Sequence, residues 1–257
     1  MRKMRCYILV CSILVTLCLS TLVQAQTPVA QWTFESGKEL KDIKGNFADI
    51  VLQGGATVTD GKLNVDTGKW AVASPYNGPD INEKTLVSWV YIDDLSVLAG
   101  SIITLDQIAA DMFDGIVFGE RQPQKWMAGS SNFFRTEDVA PGFEETQTGI
   151  LVSVAISYQD DGGTSHQRLY RNGDFIGDYQ KGTVPTWKAN DAEVFWGIRH
   201  GNAASGGPGN LKARIEESRI YNSVLSDAQI AALTLDGTTA VDSSDKTAAL
   251  WGSIKTR

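Results

Sequence analysis

The chain has 257 residues, with 23 basic side chains against 30 acidic ones and a formal net charge of −7. That balance repels phosphate backbones and anionic lipid, which argues against nucleic acid or a charged membrane surface as partner. The 25 glycines and seven prolines fit many strands joined by tight turns better than a helical protein.

Arg2, Lys3 and Arg5 precede an apolar run from Tyr7 to Val23, which closes on Val23-Gln24-Ala25. This is the layout of a secretory signal peptide over residues 1–25, cut before Gln26, and it predicts an exported protein that is periplasmic, at the cell surface or extracellular. An uncleaved anchor is the competing reading, because the run approaches the roughly 18 to 20 residues that span a bilayer. With the signal removed no membrane segment remains, and the net charge falls to about −10 because three basic and no acidic residues leave. Cys6, Cys11 and Cys18 all lie in that segment, so disulfides do not hold the rest of the fold. The remaining 232 residues fit one large β domain over 26–236 better than two.

Along the chain, Ala30, Trp32 and Phe34 share one face of a first strand, with Gln31 and Thr33 on the other. Asp60-Gly61 separates Ala56 to Thr59 from Lys62 to Val65, a two-residue hairpin by its turn chemistry. Lys84 to Ile92 is strand-like on both faces and is expected at the centre of a sheet. Ile150, Val152, Val154, Ile156 and Tyr158 form a period-2 stripe, expected to be core. Asn172-Gly173 marks a second hairpin between Arg168 to Arg171 and Asp174 to Asp178. Ser226 and Gln229 form a capping-box pattern, which predicts one short helix after the last strand. Residues 237–257 read as a flexible link followed by a short amphipathic segment with Leu250, Trp251 and Ile254 at helical spacing. That tail either docks on the domain or a partner, or frays as a terminus.

Four segments carry a family resemblance. Val29 to Phe34 with Asp42-Ile-Lys-Gly-Asn46, Thr85 to Val90, Leu169-Tyr-Arg-Asn-Gly173, and Ile215 to Asn222 followed by Val224-Leu225-Ser226 resemble, in order, the laminin-G-like branch of the concanavalin A-like jelly rolls. Phe118-Gly-Glu-Arg121, Trp126 to Ser130, Phe134-Arg-Thr136 and Gly197 to His200 are similar to a variant found as an accessory module in large secreted proteins of environmental bacteria. The resemblance implies an all-β, two-sheet antiparallel sandwich of roughly a dozen strands, with a concave face and rim loops. It does not give the function, since this architecture hosts lectins, adhesion modules, hydrolases and lyases.

Jelly-roll glycosidases place carboxylates at alternate positions of one strand, so that two flank one bond. No such string occurs. Glu144-Glu145, Asp160-Asp161 and Glu216-Glu217 are adjacent pairs, which an uninterrupted strand sends to opposite faces. His166 and His200 lack a metal-spaced partner, and no nucleophile elbow is present. The chain is therefore expected to be a non-catalytic recognition module, although a lyase-type Tyr/His pair stays open.

A sugar site joins an exposed aromatic plate to a few fixed hydrogen-bonding groups. Arg121, Trp126, Phe134 and Arg135, with Arg199, His200 and Asn202 from the glycine-rich 199–210 loop, have that composition and are expected to line one rim. The competing reading makes Trp126 and Phe134 ordinary core and the arginines surface ion pairs. By resemblance, Asp42 and Asn46 with Glu216 or Glu217 would hold one structural Ca2+ between the first and last strands, against a plain acidic pair without an ion. The expected partner is an extracellular glycan or polysaccharide. A protein-interaction or envelope-structural role, with a cell-surface protein as partner, is the alternative.

Overall fold

The protein is described here by a computed structural model for residues 26–110, 112–130 and 138–236. Residues 1–25, where a signal peptide is expected, and residues 237–257, where a link and amphipathic segment are expected, lie outside the described residues. In chain order the strands are β1 (Ala30–Trp32), β2 (Ile50–Gln53), β3 (Thr57–Thr59), β4 (Lys62–Val65), β5 (Trp70–Ala73), β6 (Lys84–Ile92), β7 (Gly100–Gln107) and β8 (Phe113–Phe118). They continue with β9 (Trp126–Ser130), β10 (Ala140–Pro141), β11 (Leu151–Asp161), β12 (Thr164–Arg171), β13 (Asp174–Gln180), β14 (Ala192–Trp196) and β15 (Ala213–Tyr221), and the helix α1 (Asp227–Ala231) follows.

All strand pairs are antiparallel and fall into two sheets. The nine-stranded sheet runs β10-β13-β12-β11-β6-β15-β4-β3, with β1 beside β15, and the six-stranded sheet runs β2-β5-β14-β7-β8-β9. The all-β sandwich implied by the resemblance is present.

The core between the sheets follows from alternation. In β6, Leu86, Val90 and Ile92 enter the inter-sheet core, while Val87 and Trp89 join a second cluster with Tyr170, Tyr221, Leu225 and Ile230. Ile230 comes from α1, so the helix covers that outer face and explains why β6 is apolar on both sides. Both halves of the capping box form, with Ser226 accepting from Gln229 N and the Gln229 side chain accepting from Ser226 N. Asp60 and Asn172 take positive φ of 51° ahead of their glycines, as two-residue hairpin turns require. One boundary differs from expectation: Ile150 precedes β11 and is 39% exposed, so the buried stripe begins at Val152.

Candidate functional site

Trp126 opens β9 opposite Phe118 of β8. That register sends its ring inward, where it is 1% exposed and packs on Phe118 at 4.8 Å between centroids. The expectation of an exposed Trp126 plate is thereby corrected. The pleat puts Trp126, Ala128 and Ser130 on the core side, and no ring face is left for a ligand. Phe134 and Arg135 lie outside the described residues.

The two segments expected to share a rim do meet. Arg199 pairs with Glu120, and its guanidinium lies 6.0 Å from the ring of Phe113. His200 stacks on the same ring at 4.5 Å with an interplanar angle of 8°. Gly201 N donates to Asp106 Oδ2 at 2.8 Å, which ties the loop to the outer face of β7. Arg121 donates to Asp138 at 2.7 Å on the surface. Asn202 accepts from Ala204 N at 2.9 Å and so folds its own loop. The ring at the centre of this junction, Phe113, is only 1% exposed.

An exposed plate stands elsewhere, at the edge of the nine-stranded sheet. Phe143, just past β10, is 38% exposed, and the Arg171 guanidinium lies 4.2 Å from its ring centroid. Arg171 closes β12 and is gripped by both oxygens of Glu145, at 2.6 and 2.9 Å. Trp126 Nε1 donates to Glu145 Oε1 at 2.8 Å, so the buried indole anchors the carboxylate that orients the arginine. Phe143, Arg171 and Glu145 line an open depression of about 210 Å3 with Thr146, Gln147 and Ile150. On β13, which pairs with β10, Phe175 is 45% exposed, with Arg168 5.1 Å and the Tyr170 ring 5.8 Å from its centroid. The Tyr170 hydroxyl donates to Asp227 at 2.8 Å; this bond, with help from Arg168, holds that carboxyl below its usual range. Sequence reasoning missed Phe143 because Gly142-Phe143-Glu144-Glu145 has no strand or helix period. Arg171 was visible only as part of a hairpin motif.

A larger cavity, about 510 Å3, opens between the chain's first and last described segments, lined by Gln31, Lys44, Arg219, Tyr221, Leu225 and Leu233 among others. Its aromatic residue, Tyr221, is 1% exposed, and Arg219 is engaged by Glu217, Asp236 and the Thr234 carbonyl. It offers no stacking face.

The four side chains expected around calcium do not form a cage. Asp42 Oδ1 accepts from Gln31 N and Lys44 N at 2.9 and 3.0 Å, and Oδ2 from Asn46 N and Phe47 N at 2.8 and 3.0 Å. Four N–H dipoles already point at this carboxylate and would repel a cation. Asn46 uses its amide to donate to Val29 O at 2.7 Å. A bulge between Ile215 and Glu217 breaks the alternation, so the two glutamates do not point to opposite faces as an uninterrupted strand would send them, but each is already held: Glu216 meets Lys62 at 3.2 Å, while Glu217 pairs with Arg219 and accepts from Gln31 Nε2 at 2.7 Å. The set does not fit the ion. Among the described residues, no three His, Cys, Asp or Glu side chains gather as a metal site.

One acid pair invisible in the sequence does share a face. Asp106 and Glu193 are cross-strand partners of β7 and β14, each 2% exposed, and burial pushes the Glu193 carboxyl up. Cross-strand neighbours sit close enough to cooperate, but both oxygen pairs are closed to solvent.

Two antiparallel sheets packed face to face define a jelly-roll sandwich. The chain belongs to the concanavalin A-like lectin/glucanases superfamily, whose family model matches residues 64–231. No curated protein matches the sequence. Among solved structures, the chain is similar to domain 4 of AbnA, a GH43 extracellular arabinanase from Geobacillus stearothermophilus, in complex with arabinotriose. The identity is 19% over 81% of this chain and 98% of that one, with a TM-score of 0.52. It is also similar to a mutant Trypanosoma rangeli sialidase displaying trans-sialidase activity, at 15% identity and TM-score 0.56 over 81% of this chain; it spans only 32% of that enzyme. The binding domain of Paraclostridial Mosquitocidal Protein 1 aligns at 15% identity and TM-score 0.52 over 79% of this chain and 51% of that one. At such identities the likeness is one of fold.

Proposed function

We propose that the protein is an exported, non-catalytic module that binds carbohydrate chains along the β10–β13 edge. Phe143 serves as the stacking plate, and Arg171 and Glu145 supply fixed hydrogen-bonding groups. The observation that carries this reading is Phe143, half-exposed on one side and braced by a guanidinium at 4.2 Å on the other. A sugar ring presents an apolar face with hydroxyls at its edge, which an aromatic ring beside a held arginine complements. The fold neighbour solved with arabinotriose supports an oligosaccharide ligand, and the signal layout of residues 1–25 supports export.

The test is a glycan microarray with pull-down on insoluble polysaccharides, comparing wild type with Phe143→Ala and, as a control on the opposite face of the sheet, Phe175→Ala. Retention by wild type and at least tenfold weaker retention by folded Phe143→Ala is expected, as for a central contact. Absence of binding by folded wild type would defeat the proposal, and release of reducing or unsaturated sugars would overturn its non-catalytic part. Ile150 and Leu151, 39% and 37% exposed, favour a second reading in which this edge meets a protein. Capture of a cell-surface protein with no glycan retention would select it.

A further inference from the structure

Lys84 opens β6 in one sheet, and Asp114 lies in β8 of the other. Their side chains meet inside the sandwich, with Nζ 2.7 Å from Oδ2 and both at 0% exposure. The site is aromatic and closed to bulk solvent: Nζ lies 4.7 Å from the Tyr158 ring centroid and 5.7 Å from that of Trp187. A buried ion pair is normally bound in by hydrogen bonds to both partners. Here Oδ2 is engaged by the amine nitrogen, 2.7 Å away, with no further hydrogen-bond donor on it among the described residues. Oδ1 accepts from Ser130 Oγ at 2.9 Å, and Nζ is within 3.3 Å of the Asn82 carbonyl. Tyr158 donates instead to the carbonyls of Gly115 and Gly129, at 3.1 and 3.2 Å.

We propose that Lys84 and Asp114 condense to an intramolecular amide that staples the two sheets together. In the reacting pair one ammonium proton passes to Oδ2, 2.7 Å away. Burial pushes the Lys84 amine down, against the pull of Asp114, in the direction that frees a nucleophilic lone pair. Nζ attacks Cγ while the Ser130 hydroxyl stabilises the charge that develops on Oδ1. Oδ2 leaves as water, carrying the proton it received and a second one from nitrogen. One C–N bond forms, one C–O bond breaks, and nothing is oxidised or reduced. The product removes two buried charges together. It also supplies a cross-link to a domain whose cysteines all lie in the first 18 residues.

Mass spectrometry of the folded full-length chain decides the question. No Lys or Arg lies between Lys84 and Arg121, so trypsin cutting after Lys84 yields peptides 70–84 and 85–121 from an unlinked chain. The linked chain is expected to resist that cut and give one peptide, 70–121, lighter than its sequence by one water, about 18 Da. Asp114→Asn should give the same peptide lighter by one ammonia, about 17 Da, and Lys84→Met should restore the full mass. Because wild type needs no substitution to fold, recovery of free 70–84 and 85–121 at full mass from folded wild type overturns the proposal.

Discussion

Trp126 and Arg171 share one carboxylate oxygen: indole Nε1 lies 2.8 Å and guanidinium Nε 2.6 Å from Glu145 Oε1. Trp126 therefore acts on the edge site without facing it. Trp126→Phe keeps an apolar ring in the core but removes the donor. It should cost about 1–3 kcal/mol of stability through the lost hydrogen bond and smaller ring. Glycan affinity should fall about fivefold as Arg171 loosens. Melting curves with titration calorimetry on the same sample separate the two effects. Unchanged affinity in a destabilised variant would show that Glu145 holds Arg171 unaided.

The loop that carries Arg199 and His200 depends on a glycine. Gly209 has a φ of +95°, and a Cβ there would sit 2.0 Å from the Ala99 carbonyl oxygen, a backbone atom that cannot swing away. Gly209→Ala is expected to destabilise by about 2–4 kcal/mol from strain and steric overlap. Chemical denaturation measures this, and a change under about 0.5 kcal/mol, the range of ordinary surface substitutions, would contradict the loop's close packing against Ala99.

Features set by local chemistry were legible in the sequence. The Asn172-Gly173 turn, the Ser226–Gln229 capping box and the bounds of β6 all emerge as read, because each is decided within a few residues. Features set by partners far along the chain were not. Which way Trp126 points depends on its register with Phe118, and which way Glu216 and Glu217 point depends on a bulge against β6. Composition around positions 121 to 135 was correctly seen as aromatic and basic, but composition carries no face. Phe143 lies in a loop without periodicity, so only the folded chain shows it beside Arg171. The pairing of Lys84 with Asp114 is likewise made by sheet packing alone.

Glu193 gives the protein a pH signature. Burial raises its carboxyl above the ordinary 4.5, so the folded state holds that proton more tightly than the unfolded chain does. Its contribution to stability is full below pH 4.5 and is lost as pH rises through the folded value. Glu193→Gln keeps the shape without the charge. It should melt higher than wild type at pH 7 and show no advantage below about pH 4. A gain independent of pH would mean that the charge is not the cause.

Asp42 separates a backbone-holding role from a metal-holding one. Its two oxygens accept four backbone N–H groups, from Gln31, Lys44, Asn46 and Phe47, and so fix the turn that crosses beside β1. Asp42→Asn offers one acceptor oxygen, and its amide nitrogen faces donors it cannot pair with. Hydrogen bonds to a charged acceptor contribute about 1.5–3 kcal/mol each, so a loss of about 2 kcal/mol or more is expected. A calcium ligand would make wild type sensitive to chelation, since an ion bound only by the folded state raises its stability by mass action. Purified wild type should instead melt at the same temperature in excess EDTA and in millimolar calcium, while Asp42→Asn melts lower in both. A calcium-dependent rise that disappears in Asp42→Asn would restore the metal to this turn and displace the account of the carboxylate as a backbone clamp.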